Sequence, residues 1–146
     1  METNATGVLP DWMADLHPDA WTVPFWEAAK EHRLVGARCV QCGTFRMPPR
    51  PFCRVCRRQE IEWVDLPGTG TVFTYTVVRH AVVPELATHV PYVIAVVEVD
   101  GAPGTRLVAA VVESDPEEVR IGRKVAVRWD DVHENVTIPR FALADS

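Results

Sequence analysis

Four cysteines carry the clearest chemistry in this chain. Cys39-Val-Gln-Cys42-Gly43 and Cys53-Arg-Val-Cys56 form two Cys-x-x-Cys knuckles separated by ten residues. That spacing lets two tight turns present four thiolates to one metal ion at tetrahedral angles. Zinc suits such a cage best. With every coordination position taken by sulphur, the ion has no place for water or substrate, so its role is structural. Iron in the same cage is the alternative, and it would carry an electron. In a reducing compartment, paired knuckles bind metal or do redox work more often than they form structural disulfides.

The knuckles lie in a basic stretch. Residues 38–58 hold Arg38, Arg46, Arg50, Arg54, Arg57 and Arg58 with no acidic residue, so a chain of net charge −5 has −11 outside this segment. Two readings stand side by side. The arginines form a solvated face, or they form an anion site in which guanidinium forks hold phosphate in pairs of hydrogen bonds. The acidic remainder, with a pI near 5.5, argues against a general nucleic-acid binder, whose affinity comes from neutralising many phosphates.

No catalytic set emerges from the other polar residues. His17, His32, His80, His89 and His133 are scattered, without metal-ligand spacing or a nucleophile motif, and read as surface or internally satisfied histidines. Glu98 and Asp100 alternate with apolar residues, as solvent-facing charges on a strand do.

The elements that position these groups follow from periodicity and punctuation. With 146 residues, 47% of them hydrophobic, the chain can fill a core. Residues 1–18 mix Gly, Pro, Asp and Asn without period and read as a tail. They show no basic start and no continuous apolar segment of the kind that marks a secretory signal. The apolar runs are too short to span a membrane, and a cytoplasmic protein is expected. Over residues 19–35, Trp21, Phe25, Trp26, Ala29 and Leu34 recur at near-helical spacing, predicting a helix of about three turns. Its aromatic face is either internal packing or a partner surface. Residues 36–62, broken by Gly43, Pro48, Pro49 and Pro51, suit a metal-stapled ribbon.

From 63 to 146 the chain reads as β, with candidate strands at 61–66, 70–79, 91–99, 105–113, 124–130 and 136–142. Turns at 67–70, 100–104 and 121–122 separate them. So many short strands in so short a segment favour a small barrel over a sandwich. The segment Ser114 to Val119 opens with a capping residue and an acidic first turn, predicting a single short helix within an OB-type barrel. The expected fold is mainly β: an N-terminal helix, a rubredoxin-like zinc ribbon, then a C-terminal OB-fold barrel.

The motifs also resemble a known family. Pro24-Phe25-Trp26-Glu27, Arg38-Cys39 with Cys42-Gly43, and Pro48-Pro49-Arg50 before Cys53 and Cys56 occur in order. They are followed by Gly68-Thr69-Gly70, Pro91-Tyr92, Val119-Arg120-Ile121-Gly122 and Pro139-Arg140-Phe141. Together they resemble the zinc-ribbon and OB-fold proteins of acyl-CoA metabolism catalogued as domain of unknown function 35. The resemblance implies a non-catalytic partner of a thiolase-like enzyme of the lipid-transfer-protein type, acting in lipid or steroid breakdown. By analogy the assembly is a two-plus-two heterotetramer, with no nucleic acid and no membrane involved. It also implies that Arg46, Arg50 and Arg54, with Arg57 in reserve, face the phosphates of a CoA thioester, and that Tyr92 or Phe141 borders the pantetheine path. The rival reading is a nucleic-acid-binding module, since OB barrels bind single strands through basic grooves and stacking aromatics.

Overall fold

The computed structural model describes residues 16–144, so most of the expected N-terminal tail lies outside the described residues. One helix, α1 (Val23–Lys30), precedes eight strands: β1 (Val35–Cys39), β2 (Phe45–Arg46), β3 (Ile61–Asp65), β4 (Thr69–Val78), β5 (Tyr92–Val99), β6 (Arg106–Val111), β7 (Lys124–His133) and β8 (Val136–Leu143). Among the described residues, no helix is long and apolar enough to cross a membrane.

The helix is shorter than the three turns expected from the aromatic stripe. Pro24 lies in its first turn, where the missing N–H costs nothing and further extension backwards is blocked. At the other end, the Glu31 and His32 N–H groups bond to the carbonyls of Ala28 and Ala29. His32 then takes a left-handed backbone, φ +60°, and the chain leaves the helix axis before reaching Leu34. Phe25, Ala28 and Ala29 are buried as α1 packs on β8 and β1.

The ribbon is a three-stranded antiparallel sheet in the order β2-β1-β3. The sequence reading counted 61–66 among the candidate strands of the β region taken to form the barrel, but β3 pairs instead along the whole of β1, from Val35↔Asp65 to Cys39↔Ile61, and belongs to the ribbon sheet. The ribbon sheet therefore reaches past residue 62. Arg38 and Glu62 sit opposite each other in this register and form an exposed ion pair at 2.6 Å.

The remaining strands close into a five-stranded barrel in the order β4-β5-β6-β8-β7, the arrangement of an OB fold. Every pairing is antiparallel except β6 with β8, which meet in parallel register at Val111↔Phe141. Ten-residue β4 pairs with both β5 and β7, and an irregularity between Val72 and Thr74 bends it. Gly70 makes that closure fit, because a Cβ there would lie 2.5 Å from the Glu98 carbonyl oxygen. Strand alternation aims Val72, Val93, Ala95, Val97, Val125 and Phe141 into the barrel core. The expected short helix is a 3₁₀ turn, Pro116–Glu118, capped by the Asp115 carboxylate, which accepts from the Glu117 N–H at 3.0 Å.

A second apolar cluster joins the pieces. Phe25, Ala28, Leu34, Val35 and Val99 pack together, flanked by Trp26, Met47, Trp63, Leu66, Leu107 and Trp129. Helix, ribbon base and barrel wall therefore share one core, and each large side chain buried there contributes about 1.5–3 kcal/mol. His32 adds a polar tie. Its ring stacks on Trp129 at 5.8 Å between centroids, and its Nε2 lies 2.9 Å from Asp131 Oδ1.

Candidate functional site

The two knuckles repeat one backbone pattern. In the first, the Gly43 N–H donates to Cys39 O at 2.9 Å and the Cys39 N–H to Thr44 O at 2.8 Å. In the second, the Arg57 N–H donates to Cys53 O at 2.9 Å and the Cys53 N–H to Arg58 O at 2.8 Å. This turn needs a left-handed residue directly after its second cysteine. The first knuckle supplies Gly43 at φ +79°, and the second forces Arg57 to φ +68°, a conformation that costs a residue with a Cβ about 1–2 kcal/mol.

The folded knuckles bring all four sulphurs within 4.8 Å of one another. Cys39 Sγ lies 3.5 Å from Cys56 Sγ, and Cys42 Sγ 3.5 Å from Cys53 Sγ. Zinc–sulphur bonds of about 2.3 Å at tetrahedral angles separate sulphurs by about 3.8 Å, so the cage has the right size. Its electrostatics also call for a cation. The Cys56 and Val55 backbone N–H groups pull the Cys53 thiol down to about 6, and the Cys42 N–H lowers that of Cys39. Cys56 moves the other way. The Arg58 N–H favours its thiolate, yet burial and the neighbouring Cys39, Cys42 and Cys53 push it up to about 11. Four thiolates at this spacing need a positive ion among them. The cysteines fit a structural zinc, with no open coordination position for chemistry.

The arginines expected to face phosphate separate into two kinds. Arg46 is corrected: it is 4% exposed, its Nη1 donates to Arg50 O at 2.6 Å and its Nη2 to Gln59 O at 3.0 Å. It braces the long 47–60 loop from inside because so small a ribbon has few apolar side chains to do so. Arg50, Arg54, Arg57 and Arg58 are exposed, and none pairs with a carboxylate among the described residues. Arg54 and Arg38 line an open cleft of about 610 Å³ beside Cys42, Thr44 and Pro103. Around the same knuckles Val40, Phe52 and Val55 are all more than half exposed.

Tyr92 and Phe141 also part company. Phe141 is corrected: at 0% exposure it is a barrel core residue, because β8 alternation turns it inward. Tyr92 is half-buried on the outer wall, at the start of β5. It lines a mainly apolar groove of about 360 Å³ between α1 and the strands β5, β6 and β8, with Trp26, Ile94, Val108, Ile138 and Arg140. The ribbon cleft touches Pro103 in the β5–β6 hairpin, beyond the far end of β5. At about 3.3 Å per residue, that end lies about 23 Å from Tyr92. The expected ligand residues therefore fall into two surfaces, a ribbon cleft and a barrel groove.

One feature near the groove escaped sequence reasoning. Arg140 Nε donates to Asp130 Oδ2 at 2.8 Å, with side chains 4% and 0% exposed. Only the β7–β8 register, in which Asp130 faces Ile138 and Arg128 faces Arg140, puts these residues on one face. The pair leaves Arg140 Nη2 and Asp130 Oδ1 without hydrogen-bond partners among the described residues.

Comparison with known proteins accords with this architecture. The family model described as the rubredoxin-like zinc ribbon domain of ChsH2 matches residues 26–62, and that of the ChsH2 C-terminal OB-fold domain matches residues 63–130. A DUF35 domain-containing scaffold protein of Methanocaldococcus jannaschii is 38% identical, over 80% of this chain and 82% of its own length. A probable enoyl-CoA hydratase alpha subunit of Thermomonospora curvata is 42% identical over 82% of this chain, which spans 37% of that longer protein. Among solved structures, a chain of an Ltp2-ChsH2(DUF35) aldolase superposes with a TM-score of 0.80 at 36% identity, covering 90% of this chain and all of that one. Cysteine cage, ribbon sheet and five-stranded barrel thus occur here in the order those relatives share, and the chain belongs to the DUF35 family of ChsH2-type zinc-ribbon and OB-fold proteins.

Proposed function

We propose that this chain is a non-catalytic accessory subunit of a thiolase-superfamily enzyme, a thiolase or retro-aldolase acting on acyl-CoA in lipid or steroid degradation. It helps to bind the CoA thioester and stabilises the complex. The observation that carries the reading is the match, over 90% of this chain, to a chain of the Ltp2-ChsH2(DUF35) aldolase. The four-cysteine cage supports a structural role for the metal in this reading, since four thiolates leave zinc no open coordination position.

In this reading the protein is cytoplasmic, the partner is a thiolase-like subunit of the lipid-transfer-protein type, and the assembly is a two-plus-two heterotetramer. Zinc holds the 36–62 ribbon in shape. Arg50 and Arg54, with Arg57, face the 3′-phosphate and diphosphate of CoA, and the 63–146 barrel borders the rest of the ligand through Tyr92. Replacing Arg50 and Arg54 together with Ala should weaken CoA thioester affinity of the complex by about tenfold or more at low salt, and by less at high salt. Unchanged affinity would remove the phosphate assignment. A nucleic-acid module predicts submicromolar binding of single-stranded oligonucleotides at physiological salt, whereas the accessory-subunit reading predicts none.

A further inference from the structure

We propose that Cys42 is a modification site for small peroxides, and that its oxidation, resolved by Cys53, dismantles the cage and lets the ribbon unfold reversibly. The inference concerns the four cysteines and does not depend on the accessory-subunit reading.

Uneven access to the four sulphurs is the first observation. Cys39 and Cys53 are each 1% exposed, Cys56 is half-buried, and Cys42 is exposed. The fold explains the contrast. Cys39 ends β1, the central strand of the ribbon sheet, whereas Cys42 lies in the turn from β1 to β2 between exposed Gln41 and Gly43. That turn is open on its outer side, since a Cβ built at Gly43 would meet nothing within 4 Å.

The cleft of about 610 Å³ is the second observation. Cys42 lines it together with Thr44, Arg38 and Arg54, and the Thr44 hydroxyl lies 3.2 Å from the Cys42 sulphur. Arg38 is held by Glu62 at 2.6 Å; Arg54 makes no such pair among the described residues. A molecule as small as hydrogen peroxide can enter this cleft, and its basic wall favours the negative charge that develops on the departing oxygen.

A second sulphur stands ready to complete the reaction. Cys53 Sγ lies 3.5 Å from Cys42 Sγ, so a movement of under about 2 Å joins them in a disulfide. The Cys42 thiolate attacks one peroxide oxygen; the S–O bond forms, the O–O bond breaks, and the departing hydroxide is protonated to water. The Cys53 thiolate then attacks the sulfenic sulphur; the S–S bond forms, the S–O bond breaks, and a second hydroxide is protonated to water. The two sulphurs lose two electrons and the peroxide gains them. Cys39 and Cys56 are left as half of the ligand set that a structural zinc needs, and the ribbon loses its organiser. Reduction by a dithiol returns both thiolates.

The test uses the full zinc-loaded chain and equimolar hydrogen peroxide. A chromogenic chelator follows zinc release, excess dimedone traps sulfenic acid, and fragment mass spectra locate adducts and disulfides. Dimedone should label Cys42 at least about tenfold over each other cysteine. Without dimedone, the first disulfide should join Cys42 to Cys53, with zinc released and amide protection lost in β1–β3; dithiothreitol with added zinc should restore both. Cys42→His keeps a common structural ligand set of three cysteines and one histidine and should slow release at least about tenfold, because the exposed ligand is no longer a thiolate. Cys56→His leaves Cys42 in place and should release zinc at close to the unaltered chain's rate. Should either variant fail to take up zinc, the dimedone label on the unaltered chain decides alone. A first label on Cys39, Cys53 or Cys56, a first disulfide that omits Cys42 or Cys53, zinc retained after Cys42 is oxidised, or equal slowing by the two histidine variants overturns the inference.

Discussion

The ribbon spreads its backbone over strands of five, two and five residues, whereas the barrel strands run from six to ten residues and enclose an apolar interior. Where the ribbon lacks apolar filling, it substitutes two devices. Four cysteines converge on one point, and the buried Arg46 guanidinium ties down the carbonyls of Arg50 and Gln59. The barrel needs neither. The two halves therefore have different weak points: remove the ion and the ribbon loses its organiser, while the barrel keeps its core.

Metal removal should produce the largest difference between the two. Structural zinc sites of this kind contribute on the order of 10 kcal/mol to the folding of small domains. Cys53→Ser, or exhaustive chelation, should abolish the one-zinc stoichiometry and collapse amide protection in β1–β3 while β4–β8 stay protected. Elemental analysis and hydrogen exchange read both effects. Loss of protection throughout the chain would show that the barrel depends on the ribbon.

The barrel's own vulnerable point is the buried ion pair. Arg140→Met alone should cost about 3–5 kcal/mol in urea denaturation, because it strands the Asp130 carboxylate, whereas pairing it with Asp130→Leu should recover most of that loss. Gly70→Ala comes next. The added Cβ meets the Glu98 carbonyl at 2.5 Å, and the closure it disturbs should lose about 1–3 kcal/mol. Returning to the ribbon, Arg57→Gly relieves the left-handed strain at φ +68° and should stabilise it by about 1 kcal/mol.

The smallest effect lies at the junction. The His32 ring, then the Thr137 hydroxyl, hold the Asp131 carboxyl below the usual carboxylate range. Its contribution is therefore fully present above the unfolded value of about 3.9 and is lost as pH falls through the lower folded value. Asp131→Asn should flatten that acid limb. At neutral pH it should cost under about 1 kcal/mol, since the carboxylate is largely exposed.

The cysteine spacing made the metal cage legible because a Cys-x-x-Cys turn is a local object: chemistry and geometry sit within a few residues. The barrel strands were legible for a similar reason, since alternation and turn residues mark them one at a time. What stayed hidden depends on partners distant in sequence. Nothing near Arg46 announces that its guanidinium turns inward to meet Arg50 and Gln59 carbonyls, and a run of arginines reads alike whether a member is clamp or surface. Phe141 was placed beside a ligand path by the family resemblance, but strand parity, fixed by pairing with β7, turns it into the core. The helix was overextended because Leu34 continues the apolar period, while the His32 backbone that ends the helix has no strong sequence mark. The groove is a meeting of four elements and is visible only once they pack.

The central claim is that the chain works as the zinc-bearing accessory to a thiolase-like catalyst. The most direct measurement is affinity isolation of the tagged chain from its own host, with mass spectrometry of the bound proteins and elemental analysis of the eluate. A thiolase-like protein in stoichiometric amount, with one zinc per chain, is the predicted result. Recovery of the chain alone, or with nucleic acid in place of a protein partner, would contradict the claim.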